Sequence, residues 1–139
     1  MTKRDLVEDA VTGFNRRDLD TYMQLYHDEL VAHGYAPNPV DLEGLRAFYA
    51  GLLASFPDAT IRIEDTAEQG STLAIRFTFE GTHEAEFMGV PPTGRSVSVP
   101  GQTFMSFDGD RVRERWNNVD LMALMEQIGA VQTGAPATG

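Results

Sequence analysis

The chain has 139 residues, of which 42% are apolar and 23% are charged, and this composition is typical of one folded domain and unlike that of a disordered chain. Cysteine is absent, which excludes disulfides, zinc–thiolate sites and cysteine nucleophiles. The formal net charge is −10, so the surface repels phosphate groups, and we expect neither nucleic acid nor a membrane as a partner. The first residues carry no apolar segment of the signal-peptide kind and no apolar run reaches about 18 residues, so we expect a cytoplasmic protein.

The first third of the chain predicts three helices and one short strand. Apolar residues recur at helical spacing over residues 6–14. Asp18 is the predicted N-cap of a second helix that extends to Tyr26, and Asp41 is the predicted N-cap of a third helix, which Pro57 ends. Residues 30–34 lie between these two helices and predict a short strand.

After Pro57 the spacing of apolar residues changes from 3.6 to 2, which predicts strands joined in an antiparallel order. The alternation over residues 73–79 is the clearest, and Asp108 with Gly109 is a typical hairpin turn. In the last strand the same alternation places four side chains on one face: Val112, Glu114, Trp116 and Asn118.

This order of elements predicts an α+β fold. We expect a cone-shaped, curved antiparallel sheet packed by three N-terminal helices, with a short C-terminal helix, and an apolar cavity enclosed between them. Residues 1–130 are predicted to form this single domain, and residues 131–139 to form a flexible tail, because the tail has few apolar side chains. Val97, Val99 and Met105 are expected to form an exposed sheet face through which the chain pairs as a homodimer or homotetramer.

Several motifs of known chemistry are excluded. Neither H-E-x-x-H nor G-x-S-x-G occurs, and the three histidines are not spaced as metal ligands on one helix, so we expect no metal site. Residues 89–96 imitate a phosphate-binding loop, but Pro91 and Pro92 remove two backbone N–H groups that such a loop needs, and a strand pattern follows instead of a helix.

Two residues are candidates for acid/base chemistry, and each has a structural alternative. His83 shares the predicted face of the strand over residues 73–79, where it is either a hydrogen-bonded core residue or a polar group inside the cavity. Asp120 follows Trp116 by four residues, and a carboxylate beside a tryptophan loses hydration, which favours proton transfer. Asp120 also directly precedes the last helix, so it is equally a candidate N-cap. Gln102 is predicted either to point into the cavity or to bridge two strands.

Three segments of the chain resemble the SnoaL-like polyketide cyclase family. They are residues 42–46 with the helix end at 56–58, residues 79–95 with their G-T-H and P-P-T-G sequences, and residues 113–129 with their W-x-x-x-D sequence. The resemblance extends from about residue 6 to residue 129. One difference is Ala85, where the family commonly has glycine, and this change would narrow the pocket or alter a bulge there.

The resemblance implies the cone fold of the nuclear transport factor two superfamily, to which ketosteroid isomerase also belongs. It implies a cofactor-free intramolecular aldol closure of a polyketide-like substrate, in which Asp120 removes a C–H proton and later returns a proton to the new alkoxide. His83 would hydrogen-bond the enolate oxygen. The further candidates for that role are Gln102, Asn118 and His33. The side chains expected to fold the substrate are Trp116, Tyr26, Tyr49, Phe56 and Phe104.

Two other functions stay open from the sequence. The first is isomerase or epoxide-opening chemistry in the same cavity, for which Glu114 beside Arg76 is the candidate pair. The second is a non-catalytic protein that binds a small ligand, with no dependence on the charge of Asp120.

Overall fold

The structure is a computed structural model that describes residues 1–131. All but Val131 of the predicted tail therefore lies outside the described residues. The α+β prediction is confirmed over the described chain, with four helices and one sheet of five strands. In chain order these are α1 (Lys3–Asn15), α2 (Leu19–Met23), β1 (Tyr26–His33), α3 (Leu42–Ser55), β2 (Thr60–Gln69), β3 (Thr72–Thr82), β4 (Ser96–Asp108), β5 (Arg111–Val119) and α4 (Leu121–Gln127).

Aspartates begin three of the helices, because a carboxylate at the N-cap accepts a hydrogen bond from a backbone N–H of the first turn. Asp18 accepts from Thr21 N at 3.1 Å, Asp41 from Gly44 N at 2.9 Å and Asp120 from Ala123 N at 2.9 Å. The first two caps were predicted, and both are confirmed. The prediction that the second helix reaches Tyr26 is wrong, since α2 ends at Met23 and Tyr26 is the first residue of β1.

The strands are ordered β1-β5-β4-β3-β2. Three neighbouring pairs are antiparallel, as expected, while β1 pairs with β5 in parallel. Helix α1 packs against α2 and β2, α3 packs against β1 and α2, and α4 packs against β4. The helices thus cover the inner face of the curved sheet, and the core lies between the two layers.

A β-bulge in β5 decides which side chains face the core. Ser106 pairs with Glu114 and Phe107 pairs with Val112, so Arg113 is an extra residue in β5. The prediction that Val112, Glu114, Trp116 and Asn118 share one face is wrong for this reason. Val112 faces inward before the bulge, and after it the inward side chains are those of Arg115, Asn117 and Val119.

The prediction of which side chains of β4 are exposed is also wrong. Val97, Val99 and Met105 are at most 4% exposed and belong to the core, so they do not form the exposed face that the sequence predicted. The alternating burial of β4 places Gln102 and Phe104 on the outer face, with Phe104 54% exposed. Among the described residues, no helix is long and apolar enough to cross a membrane.

Candidate functional site

A cavity of about 240 Å³ lies between the inner face of the sheet and the helices. Most of its wall is apolar. Strands β2, β3 and β5 contribute to it, along with all four helices and the segments on either side of β1. The apolar lining residues are Val7, Val11, Leu25, Phe48, Leu52, Ile61, Ile75, Phe77, Phe79, Phe87, Met88, Val119, Leu121 and Leu124. The polar lining residues are Tyr22, Tyr35, Tyr49, Arg115, Asn117 and Asn118. A mainly apolar cavity with a few polar side chains is typical of a binding site for a small organic molecule.

The polar part of this cavity is organised around Arg115, which is 5% exposed. Its Nη1 donates to the hydroxyl of Tyr22 at 3.1 Å and to the hydroxyl of Tyr26, and those two hydroxyls are 2.6 Å apart. Its Nη2 donates to Thr103 Oγ1 and to Asn117 Oδ1, each at 3.2 Å, and Thr103 Oγ1 donates to Asn117 Oδ1 at 2.7 Å. We call these five residues the arginine cluster.

The charge of Arg115 is not neutralised within the described chain. No carboxylate among residues 1–131 forms an ion pair with it, and its Nε is buried without a hydrogen-bond partner. Burying an isolated cation costs several kcal/mol even after the surroundings relax. Burial acts to lower the pKa of Arg115 and the neighbouring phenols act to raise it, with the net pKa above the ordinary arginine value, so the side chain is a cation at neutral pH.

The tyrosines around this cation are neutral hydrogen-bonding groups at physiological pH. Burial raises the pKa of Tyr26 to about 12, and it raises the pKa values of Tyr22 and Tyr35 well above the ordinary value. Tyr35 and Tyr49 form a second pair, with their hydroxyls 2.8 Å apart. In each pair one phenol donates to the other, so the second phenol keeps a free O–H. Tyr35 and Tyr49 both line the cavity, so the free O–H of this pair is available to a ligand.

The chemistry of the cavity is thus that of a cation and neutral hydrogen-bond donors. The amide nitrogen of Asn117 adds a further donor, because its Oδ1 already accepts two hydrogen bonds. None of the described residues that line the cavity is an aspartate, glutamate or histidine. Within residues 1–131, no group of three or more acidic or histidine side chains is arranged to hold a metal ion.

Asp120 lies at the junction of β5 and α4, where it caps the helix and is exposed to solvent. The structural alternative considered for Asp120, a helix N-cap, is therefore present. Val119 and Leu121, on either side of Asp120, both line the cavity, so the carboxylate stands next to the cavity wall without forming part of it.

His83 is a core residue in this structure. Its side chain is fully buried and stacks on Phe56 with 5.5 Å between ring centroids. Its Nδ1 lies 3.0 Å from Thr93 Oγ1, and its Nε2 is buried without a partner. His83 does not line the cavity, so the expectation of a histidine inside it is corrected in favour of the core alternative. Phe56 is likewise fully buried outside the lining, at the end of α3.

Most of the other predicted site residues lie on the outer face of the sheet, and for Glu114 and Trp116 the bulge in β5 is the cause. Trp116 is 43% exposed and stacks on His33 with 5.4 Å between ring centroids. Glu114 accepts a hydrogen bond from His33 Nε2 at 2.8 Å, and Arg76 bonds to Asp65, so the pair considered for epoxide opening is not formed. The outer face is defined here by His33, Arg76, Gln102, Phe104, Glu114 and Trp116.

Three predicted residues do belong to the cavity or its polar cluster. Tyr49 lines the cavity directly, and Asn118 contributes to its edge although it is exposed. Tyr26 lies behind the lining and bonds to Arg115. Arg115 and Asn117 were not predicted from the sequence, because an uninterrupted alternation from Val112 places both on the outside.

The loop between β3 and β4 covers one side of the cavity with Phe87 and Met88. Phe87 and Val90 exchange two backbone hydrogen bonds, and Met88 and Gly89 both have positive φ, at 50° and 84°. After this tight turn, residues 91–95 lead to strand β4 at Ser96, whereas a helix follows a phosphate-binding loop. The prediction that a strand follows this segment is confirmed.

Comparison with known proteins gives the same fold and one family. The family model of SnoaL-like polyketide cyclases matches residues 4–128. Aklanonic acid methyl ester cyclase DnrD of Streptomyces peucetius is 24% identical over 92% of this chain and 91% of its own length.

Two solved structures are similar over nearly their whole length. AclR from Streptomyces galilaeus, a candidate hydroxylase, is 27% identical with a TM-score of 0.86, covering 94% of this chain and 97% of that one. IdmH from Streptomyces antibioticus, a candidate polyketide cyclase, is 31% identical with a TM-score of 0.82, covering 93% of this chain and 99% of that one.

Proposed function

The chain belongs to the SnoaL-like polyketide cyclase family, and from that premise we propose that it is an enzyme that closes a ring in a polyketide-like small molecule without a cofactor. The observation that carries the proposal is the cavity of about 240 Å³, whose apolar wall meets a cluster of hydrogen-bond donors at one end. An apolar wall suits the carbon skeleton of such a substrate, and the donors suit its carbonyl oxygens.

Asp120 is the proton carrier in this proposal. Among the carboxylates of the described chain, it is the one flanked on both sides by cavity-lining residues, Val119 and Leu121. Only one of its two oxygens accepts from the backbone of α4, which leaves the other to accept a proton. A substrate carbon between two carbonyl groups is acidic enough for a carboxylate near the mouth of an apolar cavity to act as its base.

The proposed reaction conserves all atoms of the substrate. Asp120 removes a C–H proton, and the resulting enolate carbon attacks a ketone carbonyl of the same molecule. A C–C bond forms, the carbonyl π bond becomes an alkoxide, and the protonated Asp120 returns its proton to that alkoxide. The product is therefore an isomer of the substrate, and the enzyme needs neither an oxidant nor a metal for this balance.

The test is mass-spectrometric product analysis with a panel of polyketide esters, using the wild type and Asp120→Asn. Asparagine caps a helix as well as aspartate does, so this substitution removes the base while the start of α4 is retained. We expect an isomeric product of unchanged mass from the wild type and a loss of about 10²- to 10⁴-fold in turnover for the variant.

A matched control is Asp41→Asn, which makes the same change at the N-cap of α3. The control should keep wild-type turnover, because Asp41 is not flanked by cavity-lining residues in the same way. Full turnover by Asp120→Asn would exclude the proposed base. A product heavier by one oxygen would indicate hydroxylation instead of ring closure, and one heavier by one water would indicate epoxide opening. Tight binding without any product would favour the binding-protein alternative.

A further inference from the structure

We propose that the arginine cluster is an anion-binding subsite, so that the ligand of this cavity carries an ionised oxygen group, either a carboxylate or an enolate, that pairs with Arg115. The inference rests on the proposed function only in taking the cavity as the place where a small molecule binds. It assigns a chemical class of ligand and a specificity-determining residue, Arg115, and it does not depend on which reaction follows.

The hydrogen bonding of Arg115 is incomplete within the described chain. The guanidinium has five N–H donors, and four of its hydrogen bonds go to neutral oxygens of tyrosine, threonine and asparagine side chains. Its Nε has no partner among the described residues. Neutral oxygens reduce the cost of burying a cation without supplying a countercharge, so the site favours a molecule that brings a negative charge with it.

Every polar side chain at this end of the cavity is able to donate a hydrogen bond. Asn117 Oδ1 accepts from both Thr103 and Arg115, and the amide N–H groups of Asn117 have no partner within the described chain. The pair Tyr35–Tyr49 has one free O–H. A guanidinium, an amide and a phenol converging on one region bind an oxyanion, whereas they offer a ligand ammonium group no carboxylate to pair with.

Six of the ten arginines have carboxylate partners, and all six are exposed, in contrast to the buried Arg115. Arg62 contacts Glu64 and Glu80, and Arg76 contacts Asp65, although these side chains are exposed. The chain has 21 acidic residues, yet none of those described reaches the arginine that is most deeply buried in its cavity. The described chain therefore leaves Arg115 without a countercharge, and a ligand anion in the cavity would supply one.

The experiment is calorimetric titration of the purified full-length protein with two matched pairs of probes. The first pair is 2-naphthoate and its methyl ester, which differ in one negative charge on a carboxyl group. The second pair is an acidic cyclic 1,3-diketone, ionised as its enolate at neutral pH, and its O-methyl enol ether. We expect the ionised member of at least one pair to bind tenfold or more tightly than its neutral partner.

Which pair shows the preference identifies the source of the negative charge. A preference confined to naphthoate assigns the subsite to a substrate carboxylate, and a preference confined to the diketone assigns it to the reacting enolate. Equal affinities within both pairs, or no binding of any ionised probe at millimolar concentration, would overturn the proposal.

Two variants identify the residue. Arg115→Met keeps a side chain of similar length without the charge, and Asn117→Asp places a carboxylate where Oδ1 already accepts from Arg115. Both should abolish the preference for the ionised probe. Gln102→Glu adds the same negative charge as Asn117→Asp on the outer face of the neighbouring strand, and it should leave the preference intact.

A preference that persists in Asn117→Asp as well as in Arg115→Met would place the anion elsewhere and overturn the assignment. If Arg115→Met does not fold, the wild-type probe pairs and the isosteric Asn117→Asp still decide the question. These readouts are equilibrium affinities, so they are independent of turnover. Loss of ring closure in the assay of Asp120→Asn, or its retention, leaves them unchanged.

Discussion

The two faces of the sheet differ in whether an arginine has a carboxylate partner. On the outer face, Arg76 is exposed and bonds to Asp65 through Nε at 2.9 Å and through Nη2 at 2.6 Å. On the inner face, Arg115 is buried and has only neutral partners within the described chain. Exposed ion pairs contribute about 0–1 kcal/mol to stability, whereas a buried cation without a countercharge is costly.

This contrast indicates what each arginine does. The outer arginines could be lost with little consequence for folding, because water solvates either partner alone. The inner arginine is a buried cation that destabilises the fold, which agrees with the proposal that it binds a ligand anion. Substitutions in the cavity and on the outer surface should therefore have different effects.

The largest expected effect on stability is at the edge of the cavity, in Gly34→Ala. Gly34 has φ of +95°, and a Cβ there would lie 2.0 Å from the backbone oxygen of Asn117. Backbone strain and this collision should lower the free energy of unfolding by about 3 kcal/mol or more. Urea denaturation measures the change. Gly109 also has a positive φ but open space around it, so Gly109→Ala should lower the free energy of unfolding clearly less. An equal decrease in the two variants would contradict the role of the collision at Gly34.

The homodimer or homotetramer expected from the sequence should be held by the outer face, because the residues first expected to form the interface are in the core. Phe104 and Trp116 pair across β4 and β5 and are 54% and 43% exposed. We predict that Phe104→Glu weakens association by about 2 kcal/mol or more. Sedimentation velocity measures the association. Met122→Glu, at an exposed apolar residue of α4, is the control and should leave the association unchanged. A monomeric wild type would exclude the prediction.

Alkaline pH tests the burial of the phenols in the cavity. Tyr26 has a folded pKa of about 12 and an unfolded pKa of about 10, so between these values the unfolded state has lost a proton that the folded state keeps. The contribution of Tyr26 to the free energy of unfolding is therefore fully present below pH 10 and is lost as pH rises toward 12. The decrease is about 1.4 kcal/mol per pH unit for each such phenol. Denaturation at several pH values, followed with absorbance at 295 nm, checks this. Titration of Tyr26 near pH 10 in the folded protein would contradict it.

The smallest effect should come from the outer face, in Arg76→Gln. Its loss breaks an exposed ion pair with Asp65, and the free energy of unfolding should change by less than about 1 kcal/mol. The same experiment in 1 M salt should reduce even this difference, since salt screens exposed charges. A loss of several kcal/mol would show that the outer charges are as important to the fold as the inner packing.

The sequence was sufficient to predict the fold because local signals agreed with the overall arrangement. Asp18 and Asp41 begin helices where their spacing from the following apolar residues predicted them. The alternation in β3 places Leu73, Ile75 and Phe77 in the core as expected. These signals depend on a few neighbouring residues, which is the range over which sequence patterns are informative.

The candidate site was less predictable because one extra residue in β5 changed which of the following side chains face the cavity. The bulge at Arg113 has no proline or glycine to mark it, and the alternation read from Val112 placed Trp116 inside and Arg115 outside. A second cause is that His83, a reasonable cavity residue by alternation, packs on Phe56 beyond the end of β3. Long-range packing and register are not encoded in any short pattern.

The most direct test of the contrast between the two faces is the free energy of unfolding of Arg115→Met, measured by urea denaturation without ligand. In the variant, Tyr22 keeps its bond to Tyr26, and Thr103 keeps its bond to Asn117, so no hydroxyl of the cluster loses every partner. Because a buried cation is replaced by an apolar side chain, we predict that stability stays within about 1 kcal/mol of the wild type or increases. A loss of about 3 kcal/mol or more would contradict the account, since Arg115 would then be a structural residue that the fold requires.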